Sequence, residues 1–322
     1  MSKILLSGIK PTGRPHIGNY FGAMKQFVDL QDQYESRIFI ADLHALTTTA
    51  LISSGQADSK QFKEDIIGIA LDYLAIGLDP KKCTIFKQSD VPQVTELCWI
   101  FDCITTMPYL MRAHSFKDAE AKNKDISVGT FNYPMLMAAD ILIHDANVVP
   151  VGQDQKQHVE FARDTVEKFN RIFGETFAMP EPVIIESVAI VPGTDGQKMS
   201  KSYNNTISLF ATDEEIQKAV MGIVTDSSGG IPKNVYAMHS LFKTKEELDK
   251  IYAENEGKYK ILKELLAEDM KNFIRPLREK RAELEKNLPE VLKMLKENGE
   301  KIRAIAEEKM NEVRGKVGVS LY

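Results

Sequence analysis

The opening of this chain constrains its fold more than any other stretch. A short apolar run, Ile4 to Ser7, leads straight into a glycine- and proline-rich turn, Gly8 to Pro15. A stripe of large residues at helical spacing then follows from about Ile17 to Asp32: Tyr20, Phe21, Met24, Phe27, Val28 and Leu30. A strand that hands its carboxyl end directly to a helix amino terminus is the unit from which parallel sheets are built. The rhythm continues. Ile38 to Ala41 reads as a second strand, and a long amphipathic helix runs from about Asp58, its N-cap, to Ile76, where Gly77 and Pro80 end it. Thr84 to Phe86 is a third strand, and Val183 to Val191 is another β-branched run. This alternation predicts an α/β fold, a parallel sheet with helices on both faces.

The pattern changes after about residue 206. Leu288, Val291, Leu292, Leu295, Ile302, Ile305, Ala306, Met310 and Val313 recur every three or four residues and describe one long helical face, with an interruption expected near Gly299. Residues 207–322 therefore read as a mainly helical second domain. Charge shifts with it. There are 20 Lys and Arg against 25 Asp and Glu over 1–206, 21 against 21 over 207–322, and 13 against 9 over 271–322. With a net charge of −5 the whole chain is not basic, so a nucleic-acid partner must be met by a local patch, and DNA is not an expected partner. Cys83, Cys98 and Cys103 are odd in number and form no CxxC pair, which argues against a disulfide framework and against a zinc site. No stretch approaches 18 uncharged apolar residues, and the apolar run at the N-terminus is too short for a signal peptide, so we expect a cytoplasmic protein with no membrane segment.

Two loops carry chemistry. The first is the turn after the first strand, which ends in His16, Ile17, Gly18 and Asn19. In an open parallel sheet, ligands bind beyond the carboxyl ends of the strands, and the helix amino terminus there offers free N–H groups that suit phosphate. Gly18 leaves room for a flat ring against the backbone, His16 and Asn19 can donate to phosphate oxygens, and Lys10 and Thr12 add a cation and a hydroxyl. Neither a Walker A sequence nor a GxGxxG fingerprint is present. The second loop, Gly193 to Ser202, follows the Val183–Val191 run. Its glycines, Gly193 and Gly196, suggest a mobile hinge, and Lys198 and Lys201 lie close enough in sequence to converge on one anion. When a carboxylate attacks an α-phosphorus, negative charge develops on the departing β- and γ-phosphates, and two lysines stabilise that transition state more than the ground state.

Together the two loops resemble the paired signature of class I aminoacyl-tRNA synthetases. Three segments, Pro11 to Ala23, Tyr133 to Leu142 and Val149 to Glu160, look like those of the bacterial tryptophanyl branch, and the resemblance covers essentially the whole chain. It implies a Rossmann-like catalytic domain over 1–206, with a dimerisation insertion around 90–180, that ends in the Lys198–Ser202 loop. It also implies an α-helical anticodon-binding domain over 207–322. His16, Asn19, Lys198 and Lys201 would be catalytic. ATP would meet Lys10, Pro11, Thr12, Gly18, Asn19, Gly152, Gln153, Asp154, Ala189 and the loop residues Lys198, Met199, Ser200, Lys201 and Ser202. Tryptophan would meet Asp140, Met137, Tyr133, Gln155, His44, Val149 and Val151. Asp140 stands one helical turn after Met137, and its carboxylate would accept the indole N–H. The implied small molecules are ATP and Mg²⁺, the latter held mainly by phosphates because no protein metal-ligand set is visible. The implied partners are L-tryptophan, tRNA(Trp) and a second copy of the chain.

This sequence departs from the family pattern at three places. Asn19 stands where a second histidine is usual, Lys10 where glutamine is common, and Leu6 where a pocket phenylalanine is common. A tyrosyl enzyme would share the fold, but its equivalent helix carries a glutamine where Met137 stands. A small-molecule nucleotidyltransferase would lack the helical second half. A non-catalytic RNA-binding relative would not need intact His16, Asp140, Lys198 and Lys201.

Overall fold

Leu5 and Leu6 are adjacent in the first strand and both are buried, as are Ile38, Phe39 and Ile40 in the second. Consecutive burial means both faces of these strands are covered, which is the state of a parallel sheet between helical layers. The computed structural model, which describes residues 2–47, 58–121, 126–152, 156–184, 191–225 and 230–321, has this sheet at its centre. Strands β1 (Ile4–Ile9), β2 (Glu35–Ile40), β3 (Cys83–Lys87), β4 (Val148–Val151) and β5 (Glu181–Ile184) are all parallel, in the order β3-β2-β1-β4-β5. The chain steps outward from β1 to β3, then returns to the other side of β1 for β4 and β5. The strand order therefore reverses between β1 and β4, and a crevice opens there at the carboxyl ends.

The helix after β1 runs as expected but is not uniform. It is α-helical over Ile17–Asn19 and Lys25–Leu30, with a π-helical stretch over Tyr20–Met24 between them. The helix Ser59–Ala75 is capped by Asp58, whose side chain accepts from the Gln61 N–H at 2.9 Å. Strand β4 has no counterpart in the sequence reading, because four residues containing Pro150 give too short a pattern. Of the expected Val183–Val191 strand, residues 183 and 184 belong to β5, which starts two residues earlier; Val191 is in no strand, and residues 185–190 lie outside the described residues.

The final helix, Leu288–Val317, passes through Gly299 without the expected interruption. The glycine serves packing. A Cβ there would lie 2.6 Å from the Asp90 carboxylate, so the bare backbone lets the helix close on the turn after β3. This helix lies along β3, the edge strand, where the Asn298 amide donates to the Ile85 carbonyl at 2.9 Å, and further on Arg314 pairs with Glu96 of the helix Gln93–Ile104 at 2.6 Å. Covering an edge strand removes a row of backbone groups open to unwanted pairing. The change of pattern near residue 206 consequently marks a change of secondary structure but not a separate core. One apolar cluster joins Leu5, Ile17 and Met24 to Leu209, Leu266 and Ile274, and a second joins Leu6, Phe101 and Leu142 to Ile302, Ala306 and Met310. Among the described residues, only a small cluster, Leu248, Tyr252 and Leu262, belongs to the second half alone.

Candidate active site

A mostly apolar cavity of about 300 Å³ occupies the crevice between β1 and β4. Leu6, Ser7 and Gly8 of β1 form one side and Val149, Pro150 and Val151 of β4 the other, and Gly152 and Lys10 also line it. The helix Val128–Ile143 closes it with Tyr133, Met137 and Asp140, which sit on one face at spacings of four and three. Phe39 of β2 also lines the cavity, opposite Gly8 in the strand register. An aromatic wall therefore exists although β1 carries leucine.

Among the described residues Asp140 is the one carboxylate lining this cavity, and it is only 3% exposed. Its oxygens accept from Gln88 Nε2 at 3.0 and 2.8 Å, and Oδ2 also meets His44 Nε2 at 2.9 Å. Burial pushes the carboxyl pKa up, while the hydrogen bonds from His44 and Gln88 pull it back down. Against an ionised carboxylate, His44 Nε2 must carry the proton. His44 Nδ1 is then a bare acceptor, and it has no hydrogen-bond partner among the described residues. The Tyr133 hydroxyl pairs with His158 Nε2, and its ring stands edge-on to His44 at 6.1 Å. Lys10 Nζ lies 5.5 Å from the centre of the Tyr133 ring, and burial lowers its pKa.

The first turn is held by a reciprocal cap. His16 Nδ1 accepts from the Asn19 N–H at 3.3 Å, and Asn19 Oδ1 accepts from the His16 N–H at 3.0 Å. An accepting Nδ1 places the ring proton on Nε2. Burial, with the Lys201 charge nearby, lowers the His16 pKa to about 4, so at neutral pH the ring is an uncharged donor through Nε2. A Cβ on Gly18 would lie 2.9 Å from His16 Nδ1 and 3.4 Å from Met199 Cβ, so the bare backbone lets the His16 ring and the second loop close on the start of the helix.

The second loop likewise corrects the reading of its glycines. Gly193 N–H donates to the Gln197 carbonyl at 2.7 Å, and Gly196 has φ +84°. A Cβ at Gly193 would lie 2.2 Å from Asn205 Nδ2, and one at Gly196 2.5 Å from Asn234 Nδ2. The glycines thus permit a tight, closely packed turn and not simply a hinge. The organiser is Asn205, 2% exposed, which sequence reasoning missed. Its amide donates to Asp195 Oδ1 at 2.7 Å and to the Lys198 carbonyl at 3.1 Å, and its oxygen accepts from the Ser200 N–H at 2.8 Å. Ser200 and Ser202 hydroxyls pair at 2.9 Å, and Met199 is buried.

The two loops are fastened to each other. Lys201 Nζ donates to the Thr12 carbonyl at 2.7 Å. The Ile17 N–H donates to the Ile207 carbonyl, and the Leu209 N–H to the Pro15 carbonyl, both at 3.0 Å. Pro11 is buried. Only Lys201 reaches the first turn; Lys198 stays exposed on the loop, so the two amines do not share a partner here. Gln153, Asp154, Gln155 and Ala189 lie outside the described residues. Among the described residues no cluster of three or more His, Cys, Asp or Glu has the arrangement of a metal site. Gln88, like Asn205, was missed: a lone glutamine in a short turn carries no periodic signal.

Comparison with known proteins fits this geometry. The family model described as class I tRNA synthetases (W and Y) matches residues 2–293. The tryptophan-tRNA ligase of Fusobacterium nucleatum is 51% identical over 98% of this chain and 97% of its own length. That of Rhodopirellula baltica is 44% identical over 98% and 99%. The crystal structure of tryptophanyl-tRNA synthetase from Campylobacter jejuni complexed with ADP and tryptophan superposes with a TM-score of 0.88, at 41% identity, covering 98% of this chain and 99% of that one. The chain belongs to the class I tRNA synthetases of the tryptophan and tyrosine family, and within it to the bacterial tryptophan branch.

Proposed function

We infer that this member of the class I synthetases activates L-tryptophan with ATP and charges tRNA(Trp), releasing pyrophosphate and then AMP. The observation that carries the reading is the apolar cavity at the switch point with, among the described residues, a single buried carboxylate, Asp140, on its wall. Indole is a large apolar ring with one polar group, an N–H donor, and this lining matches it. A phenol would ask for further polar partners, and Met137 stands where one would be needed. The amino acid lies along the cavity with its ammonium and carboxylate toward Tyr133, Gln155 and Lys10.

Mg²⁺ accompanying ATP would be held by phosphate oxygens and water and would supply charge neutralisation there. The ATP triphosphate runs over the first turn, where His16 Nε2–H and the Asn19 amide donate to it, with Gly18, Pro11 and Thr12 shaping the floor. The ribose and adenine lie toward Gly152, Gln153, Asp154 and Ala189. Holding the tryptophan carboxylate in line with the α-phosphorus supplies much of the rate. Lys201, already at the first turn, and Lys198, brought in from the rim with Met199, Ser200 and Ser202, stabilise the departing pyrophosphate. The 3′-terminal ribose hydroxyl of the tRNA then attacks the adenylate carbonyl, and AMP leaves. Residues 207–322 meet the anticodon through splayed bases. The enzyme works in the cytoplasm as a symmetric homodimer through the 90–180 region, where Trp99, Met107, Met111 and Val128 are exposed apolar side chains.

Pyrophosphate exchange into ATP, driven in turn by each of the twenty amino acids, tests the reading. Exchange with tryptophan alone is expected, and exchange driven by tyrosine would overturn it.

A further inference from the structure

We propose that Gln88 is a positioning residue for substrate choice, holding the Asp140 carboxylate fixed and charged so that it discriminates for the indole N–H. The proposal rests on the reading that Asp140 meets that N–H. Gln88 is 1% exposed and lies one step past the carboxyl end of β3, outside the set of residues that line the cavity. Its amide is fixed at both ends. The oxygen accepts from the His44 N–H at 3.1 Å, which settles the orientation of the group and turns Nε2 onto both oxygens of Asp140. One amide therefore ties together the carboxylate and the histidine that also donates to it.

The need for such a group follows from burial. A carboxylate this far from water favours its protonated form unless donors compensate, and the donors found here are His44 and Gln88. A protonated or rotated carboxyl offers an indole a poorer acceptor, and an unpaired N–H in an apolar site is penalised steeply.

The turn that carries Gln88 is itself braced. Ser89 donates its N–H to Asp42 Oδ1 at 2.9 Å and its hydroxyl to Asp42 Oδ2. Asp90 Oδ2 accepts from the Lys87 N–H at 3.2 Å, and its other oxygen pairs with the Lys87 ammonium at 2.8 Å. From outside, Arg303 of the last helix donates to the Asp90 carbonyl at 2.7 Å, and Gly299 packs on the Asp90 carboxylate. A side chain with only a space-filling role would not need its turn tied to three other elements.

The experiment compares wild type with Gln88→Leu, Gln88→Glu and Asp140→Asn in pyrophosphate exchange. Each is measured with tryptophan and with the analogue whose indole nitrogen is replaced by sulfur, which has no N–H. In Gln88→Leu the KM for tryptophan should rise roughly 10- to 100-fold with kcat within a few-fold, and the preference for tryptophan over the analogue should fall by a similar factor. Gln88→Glu keeps the shape but sets two carboxylates side by side. It should lose preference at high pH and regain it as pH falls and they come to share one proton. Equal losses on both substrates in Gln88→Leu, together with a pH-independent Gln88→Glu, would overturn the proposal in favour of a purely structural role. So would an unchanged preference in both. If Gln88→Leu fails to fold, the isosteric Gln88→Glu decides alone through its pH profile. An unchanged preference in Asp140→Asn would instead refute the role of Asp140, a separate failure.

Discussion

At the end of the site that we propose meets the triphosphate, the phosphate end, His16, Asn19 and Lys201 come from two short loops that cap themselves and clip to each other through Lys201 and the Thr12 carbonyl. At the amino-acid end, Asp140, His44 and Gln88 come from a helix, a short helical turn after β2 and a turn after β3, and no two of them are near in sequence. The phosphate end is made of backbone geometry that a few residues impose locally. The amino-acid end is a buried polar network in which Gln88 and His44 both bond the Asp140 carboxylate and Gln88 also accepts from the His44 backbone N–H. Such a network favours one arrangement strongly, because each unmade bond leaves a buried polar group unpaired. The phosphate end should therefore govern the rate of the chemical step, and the amino-acid end the choice and affinity of the substrate.

The largest expected effect comes from Lys201→Ala. It should lower kcat for adenylate formation roughly 100- to 1000-fold while leaving tryptophan KM within about twofold, read by single-turnover quench. A comparable rise in KM would mean that the two ends are not separable.

A smaller effect separates the ends by pH. His16 is held neutral, with a pKa of about 4 against its ordinary 6.5. The unfolded chain takes up a proton below pH 6.5, and the folded chain does not until about pH 4. The stability this contributes is therefore present above 6.5 and lost as pH falls from 6.5 toward 4. His16→Asn keeps a cap but does not titrate. Urea unfolding across that window should show wild type losing about 2 kcal/mol more than His16→Asn. Equal slopes would show that the histidine is not held in its neutral form.

The smallest effect reaches the amino-acid end from behind. Gly299→Ala adds helix propensity, about 1 kcal/mol in isolation, but its Cβ must displace the Asp90 carboxylate. A rise of a few-fold in tryptophan KM, with kcat and the ATP KM unchanged, would sharpen the contrast. An effect confined to kcat would break it.

The same contrast explains what could be read in advance. The turn from β1 into its helix, the Asp58 cap and the helical face from Leu288 to Val313 are local patterns, and each was legible. Strand β4 was not, because four residues with a proline carry no period, and β4 exists only because it pairs with β1 and β5. Gly193, Gly196 and Gly299 were misread as points of freedom. A glycine in sequence looks the same whether the chain needs to bend there or needs another side chain to come close. The structure shows close approach at all three, with left-handed backbone added at Gly196.

By itself, then, the sequence determined the alternation that makes a parallel sheet, the two loops proposed to handle phosphate and the positions of Met137 and Asp140 on one helical face. Those features depend on neighbours within a few residues, and periodicity and turn chemistry report such neighbours. The tertiary structure alone decided that the last helix shares the core of the sheet, that Lys201 and not Lys198 is seated against the first turn, and that Gln88 and His44 hold the buried carboxylate. Those outcomes depend on which groups meet after the chain has folded back on itself, where the cost of an unpaired buried group selects the partners.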